Sequence, residues 1–166
     1  IDIFKNLSND ESIIVKSYLC MNRNCPQKIL INLYNNNRDK IDVLESIAYN
    51  KNTPIYILEK LYETRKHRIK LILASNENCP LYILKKLSKS KDFNIKIQII
   101  QNKNIDPCIL KQLFKNLKPT DPVSVSYYIV KNKNCPLDLL KKVYKSRKDL
   151  KEIISDHPNW KFSEFE

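Results

Sequence analysis

The chain has 166 residues, with 30 Lys and Arg against 18 Asp and Glu, five Cys and no Gly. The absence of Gly excludes the Gly-rich loops that bind dinucleotides or nucleotide phosphates, because those loops bring backbone amides close to a phosphate. It also excludes the G-x-S-x-G nucleophile elbow and disfavours a β-rich fold, whose hairpin turns use Gly for positive φ.

A short signature, Asn-x-Asn-(Cys/Thr)-Pro, recurs along the chain and divides it into repeats. Its first asparagine stands at positions 22, 50, 76, 102 and 132, and a degraded copy begins at His157. Apolar residues flank each copy at spacings of one, three and four, which put each set on one face of a helix. In chain order the predicted helical stripes are Val15/Leu19/Cys20 with Ile29/Leu30/Leu33, Val43/Ile47/Ala48 with Ile57/Leu58/Leu61, Ile69/Leu73/Ala74 with Ile83/Leu84/Leu87, Ile95/Ile99/Ile100 with Ile109/Leu110/Leu113, Val125/Ile129/Val130 with Leu139/Leu140/Val143, and finally Leu150/Ile154/Ser155.

The signature predicts the turn that joins the two helices of a repeat. Proline is favoured at the first helical position, so the residue before it, such as Thr53, would be the N-cap, and Asp106 would cap the fourth copy one place later. The leading asparagine would end the upstream helix in the left-handed conformation that Gly usually adopts. One unit cannot bury both stripes alone, so consecutive units must stack. The sequence therefore predicts an all-α solenoid of about five and a half helix–turn–helix repeats of 26–30 residues, as a single domain over residues 1–166.

The segment from Ala48 to Leu61, together with the Ile69-Lys70 and Ile95-Lys96 pairs, resembles the leucine-rich repeat variant. That family is written V-A-x-N-P-x-T-P-x-x-V-L-x-x-L, and its Asn-Pro is mostly Asn-Lys or Asn-Arg in this chain. The resemblance implies a right-handed superhelix that alternates α-helices with short 3₁₀-type helices, related to the HEAT and armadillo class. It brings no defined catalytic residues to this chain.

The cysteines predict no metal site, disulfide or cofactor. Cys25, Cys79 and Cys135 occupy the same position in repeats one, three and five, about 20 Å apart at ~10 Å per helical layer. That separation is too large for a shared zinc ion or a disulfide. Cys20 falls at a core position, and Cys108 stands at a helix start, where a thiol can have a lowered pKa and be reactive. Small caps and core fillers are the simpler interpretation of all five.

The sequence also gives expectations for the cellular compartment of the protein and for its last repeat copy. The sequence contains no run of 18 apolar residues, so no membrane span is predicted. The unpaired cysteines favour a reducing cytoplasm. No small-molecule substrate is indicated. In the degraded last copy, His157 takes the asparagine position and Trp160 is expected to cap the end of the core. This copy is either a C-terminal cap or the start of a longer array.

The positive charge is concentrated in the C-terminal part. Residues 1–64 hold eight basic and eight acidic side chains, whereas residues 65–166 hold 22 basic and 10 acidic. Nine, ten and thirteen residues after the leading asparagine, repeats three to five carry lysine at every position except Gln112, and stacking would align these lysines over about 20–30 Å. We call these candidate binding residues the lysine row: Lys85, Lys86, Lys89, Lys111, Lys115, Lys141, Lys142 and Lys145.

Three interpretations of the lysine row remain open from the sequence. Foremost, the chain is a non-catalytic scaffold whose row docks an acidic protein surface. Alternatively, the row follows a nucleic-acid backbone, although Lys outnumbers Arg 25 to 5 and Arg is preferred for bidentate phosphate recognition. In the third, the row is only a solvated face. A HEAT-like DNA glycosylase ranks last, because it rests on fold analogy alone.

Overall fold

The computed structural model describes residues 2–117 and 123–160, and its regular secondary structure is entirely helical within those ranges. This confirms the all-α class. The helices are α1 Asp2–Ser8, α2 Ile13–Met21, α3 Gln27–Asn36, α4 Ile41–Tyr49, α5 Ile55–Glu63, α6 His67–Ser75, α7 Leu81–Leu87, α8 Phe93–Gln101, α9 Pro107–Lys115, α10 Val123–Lys131, α11 Leu137–Ser146, a 3₁₀ helix Lys148–Leu150, and α12 Lys151–Ser155.

The chain divides into two compact units, Ile1–Leu84 and Lys85–Glu166. In the first unit α2 packs against α4 and α4 against α6, while α1, which the repeat pattern did not predict, packs against α2 and α3. In the second unit α10 packs against α8, α9, α11 and α12. Each unit is therefore built from helices that are neighbours or near neighbours along the chain. The prediction of one domain over residues 1–166 stays a prediction.

The predicted apolar stripes form the core of both units. All the stripe residues of repeats two to five, such as Ile47, Leu58, Ile99 and Leu140, are buried. The exceptions lie at the ends of the pattern, where Val15, Ile29 and Ser155 are half-buried. The periodicity therefore identifies the buried face of each helix correctly.

The leading asparagines do not adopt the left-handed conformation, so that prediction is wrong. Asn22, Asn50, Asn76 and Asn102 all have extended backbones, with φ of −64 to −71° and ψ of 121 to 125°. Among the residues that the structure describes, only Arg65 has a positive φ. Each asparagine instead accepts, through its Oδ1, the backbone N–H two residues ahead, as Asn50 does from Asn52 at 2.8 Å. This Asx turn ends the helix without a left-handed residue, so no Gly is needed at this position.

The amide nitrogens of the same asparagines join successive repeats. Asn50 Nδ2 donates to Cys20 O at 2.6 Å and to Asn22 O at 2.9 Å, 28 to 30 residues upstream. Asn76 Nδ2 repeats this with Ala48 O at 2.7 Å and Asn50 O at 3.2 Å. We call this series the asparagine ladder. It satisfies carbonyls at helix ends, which have no partner within their own helix.

The second asparagine of each signature extends the ladder into the turn. Asn52 Nδ2 donates to Arg23 O at 2.6 Å, and Asn78 Nδ2 donates to Lys51 O. Both acceptors follow the leading asparagine of the preceding repeat. The ladder therefore fixes the turn backbone as well as the helix end.

The helix starts differ in part from the prediction. Pro26, Pro54 and Pro136 are themselves the N-caps, because their carbonyls accept the first helical hydrogen bonds. Thr53, predicted as a cap, instead donates its hydroxyl to Ile47 O at 2.6 Å in the upstream helix. Asp106 is the cap of α9, with Pro107 as the first residue of that helix, as predicted.

The degraded last copy forms the same turn as the others. His157 is buried, and its Nε2 lies 2.9 Å from Asn132 O while its Nδ1 accepts Asn159 N–H at 3.1 Å. The network assigns the neutral tautomer with the proton on Nε2. Trp160 is buried, with its ring 4.8 Å from that of Tyr144, so it belongs to the core of this unit, and its capping of the end of the core stays a prediction.

Candidate functional site

All eight residues of the lysine row belong to the unit Lys85–Glu166. Lys85 and Lys86 lie in the last turn of α7, Lys89 follows that helix, and the other five lie on α9 and α11. Seven of the eight are exposed, and Lys141 is half-buried. They are exposed because the apolar residues of the same helices, such as Leu110 and Leu140, turn the opposite face to the core.

Two lysines of the row make contacts that connect α9 with α11. Lys111 Nζ lies 2.7 Å from Asp138 Oδ2, and Lys142 Nζ lies 5.8 Å from the centre of the Phe114 ring. The hydrogen bond from Lys111 lowers the pKa of the Asp138 carboxyl, and the same bond raises the pKa of Lys111. The repeat pattern did not predict this pair, because it registered the recurring lysines and not the single acid opposite them. Asp138 therefore neutralises one charge of the row.

Cys108 lies near the row, and its thiol is not activated. It is exposed at the start of α9, where Lys85 and Lys111 favour the thiolate. The carboxylate of Asp106 outweighs both lysines and raises the pKa of the Cys108 thiol. The lowered pKa that a helix start can produce is therefore absent. The other four cysteines are buried, and burial raises the pKa of Cys79 and Cys135 to about 12.

A second basic site lies where α8 and α10 meet their turns. It is a groove of about 610 Å³, within the range of ligand-binding clefts. We call it the tyrosine groove, and it is lined by Ile100, Gln101, Lys103, Tyr127, Tyr128, Lys131, Asn132 and Lys133. Three of these eight lining residues are lysines and none is acidic.

The two aromatic rings of the tyrosine groove hold each other in place. Tyr127 and Tyr128 meet edge to face, with ring centres 5.4 Å apart and planes at 81°. Lys131 Nζ donates to Tyr127 Oη at 3.0 Å and lies 5.2 Å from the ring centre. The hydrogen bond to the phenol raises the pKa of Lys131.

The asparagine ladder positions the two turn lysines of the groove. Asn134 Nδ2 donates to Lys103 O at 2.8 Å, and Asn159 Nδ2 donates to Lys133 O at 2.9 Å. Both lysines therefore extend from backbone that is tied to the following repeat.

Sequence reasoning missed the tyrosine groove, although a signal for it exists. The residue after the leading asparagine is basic in four of the five signatures, namely Arg23, Lys51, Lys103 and Lys133. This recurrence is as regular as that of the lysine row. The recurring basic residue lies within the Asn-x-Asn-(Cys/Thr)-Pro signature, which predicts a turn, so its charge received no separate interpretation.

The first unit carries an apolar cleft. It has a volume of about 400 Å³ and lies between α1 and α2. Its lining includes Phe4, Leu7 and the 71 % exposed Tyr18. None of its lining residues is charged.

Within residues 2–117 and 123–160, no group of three or more His, Cys, Asp and Glu side chains is arranged to hold a metal ion. Over the same ranges, no helix has the length and apolar character needed to cross a membrane.

No protein-family model matches this chain, and no curated protein or solved structure matches it either. The resemblance to the leucine-rich repeat variant therefore stays a prediction from the repeated motif.

Proposed function

We propose that the chain is a non-catalytic helical-repeat scaffold that binds an acidic protein surface through the lysine row. The observation that carries the proposal is the exposure of lysines at equivalent positions of successive repeats within one compact unit. That unit holds 18 basic and 9 acidic residues, against 12 and 9 in the first. A surface with one sign of charge attracts the opposite sign and orients its approach.

The proposal includes a continuous right-handed solenoid over residues 1–166, of the leucine-rich-variant or HEAT-like type. The asparagine ladder supports stacking within each unit, because the same side chain makes the same inter-repeat bonds in both. Stacked repeats offer an extended surface on which equivalent side chains align.

An acidic peptide tests the proposed partner class. A labelled peptide of about ten residues rich in Asp and Glu spans about 33 Å when extended, enough to cover the row. We expect salt-sensitive binding that weakens about tenfold in a triple variant, because three exposed charge pairs contribute about 0.5 kcal/mol each. The variant is Lys89→Gln, Lys115→Gln and Lys145→Gln.

A matched variant distinguishes the row from net charge alone. Lys5→Gln, Lys28→Gln and Lys66→Gln remove the same charge from exposed positions in the first unit. This control should retain affinity within about twofold, since its lysines lie outside the row. Equal losses in both triple variants would contradict the proposal.

Binding of a nucleic-acid backbone along the same row is the second candidate. Lysines repeated once per helical layer suit phosphate contacts, which carry no sequence information. A labelled duplex in the same assay decides between the two candidates. If the duplex binds and the row variant abolishes that binding, while the acidic peptide does not bind, the partner is nucleic acid.

A further inference from the structure

We propose that the tyrosine groove binds single-stranded nucleic acid, with a base on the Tyr127–Tyr128 pair and phosphates on Lys131 and Lys133. This site shares no residue with the lysine row, and the proposal does not depend on the row's partner. Its chemistry is that of single-strand binding sites, which combine basic side chains with aromatic rings on which bases stack.

The aromatic half of the site is preorganised. Both tyrosines are half-buried on α10 and line the groove. Their edge-to-face contact and the Lys131 bond restrict their rotation before any ligand arrives. A stacked base therefore meets rings that have little freedom left to lose.

The cationic half is arranged around those rings. An ammonium has three N–H donors, and Lys131 uses one of them on Tyr127 Oη. Its other donors can reach a phosphate that follows the stacked base. Lys133 is exposed in the next turn and its backbone is tied by Asn159. Gln101, exposed at the end of α8, adds an amide that can bond base edges.

Single strands fit the groove better than the two other polyanions. A duplex keeps its bases stacked inside the helix, so the tyrosines would contact none of them. An acidic peptide would satisfy the lysines but leave both rings without a planar partner. An unpaired nucleotide offers the negative phosphate and the flat base together.

Fluorescence anisotropy with a labelled oligothymidylate of about 12 nucleotides tests the site, since single-strand sites span about 4–16 nucleotides. Tyr128→Ala should weaken binding by about fivefold or more through lost stacking, while Tyr128→Phe should bind as the parent chain does. Lys131→Gln with Lys133→Gln should make the salt slope of log K shallower by about 1.4, because each phosphate contact on a single strand contributes about 0.7.

The control variant has the same net charge as the groove variant but is changed at other positions. Lys115→Gln with Lys145→Gln removes the same two charges from the lysine row and should leave both stacking and the groove's salt slope unchanged. If this pair weakens binding as much as the groove pair does, the binding is non-specific and the proposal fails. Tighter binding of a duplex of the same sequence, or of the acidic peptide, would also overturn it.

Loss of folding cannot imitate the expected result. Lys131 and Lys133 are exposed, so their replacement by Gln tests the groove even if Tyr128→Ala unfolds the chain. The thermal transition of every variant, followed by circular dichroism, shows which are folded. Folded lysine variants with unchanged affinity and salt slope would refute the proposal.

Discussion

At the scale of single residues, each buried asparagine of the ladder makes several backbone hydrogen bonds with one side chain. Asn50 is 2 % exposed, accepts one backbone N–H within its turn and donates to two carbonyls of the preceding repeat. An amide is suited to this because it carries two donors and an acceptor on one planar group. Threonine or aspartate at this position would satisfy fewer of these partners.

We expect Asn50→Ala to lower the free energy of unfolding by about 2–4 kcal/mol, because it leaves the buried Cys20 carbonyl and the part-buried Asn52 N–H without partners. Asn50→Asp keeps the acceptor but loses both donors, so it should be no more stable than the alanine variant. Chemical denaturation followed by circular dichroism measures both. Asn9→Ala, at an exposed position, is the control and should change stability by less than about 0.5 kcal/mol. A small effect of Asn50→Ala would show that the ladder is not a stabilising feature.

The ladder also shows which features the sequence could predict. Stripes such as Ile57/Leu58/Leu61 are local in the sequence and their burial follows from spacing alone, so they were predicted correctly. The partners of Asn50 lie 28 to 30 residues upstream, and no local rule identifies them. The left-handed prediction was wrong for a different, local reason, because the Asx turn onto the Asn52 N–H takes the place of a left-handed residue.

At the scale of structural elements, the last turn shows that the ladder depends on donor and acceptor geometry rather than on asparagine itself. His157 supplies a donor from Nε2 to Asn132 O and an acceptor at Nδ1 for Asn159 N–H. These match two of the three bonds that Asn50 makes, the donation to Asn22 O and the acceptance from Asn52 N–H. The sequence predicted the position of this turn, because His157 stands where the other repeats have their leading asparagine. It did not predict the hydrogen bond from the imidazole to Asn132 O, because that acceptor belongs to the preceding repeat.

We expect His157→Asn to retain stability within about 1 kcal/mol, because the amide can make both bonds. His157→Ala should lose about 1–3 kcal/mol, since it leaves buried partners unsatisfied. Trp160 is the only tryptophan and lies buried three residues away, so its fluorescence reports on this end of the chain during denaturation. Identical transitions for the alanine and parent chains would contradict a supporting role of His157.

At the scale of the whole molecule, the formal net charge of +12 is unevenly distributed. The unit Lys85–Glu166 holds 18 basic and 9 acidic residues. Pairs such as Lys111–Asp138 are exposed, and exposed pairs contribute little to stability. We therefore expect repulsion among the remaining lysines to be the larger electrostatic effect and to oppose folding. A protein can tolerate this cost where the charge serves a binding surface.

Salt should consequently stabilise this protein. Raising sodium chloride from roughly 10 to 150 mM shortens the Debye length from about 30 to about 8 Å, which screens repulsion between lysines on successive helices. If screening recovers about 1 kcal/mol, the melting temperature rises by about 2–4 °C for a chain of this size. The variant with Lys89→Gln, Lys115→Gln and Lys145→Gln should melt higher at low salt and respond less to added salt. Differential scanning calorimetry measures both quantities, and a melting temperature that falls with salt would mean that ion pairs, not repulsion, dominate the electrostatics of the folded chain.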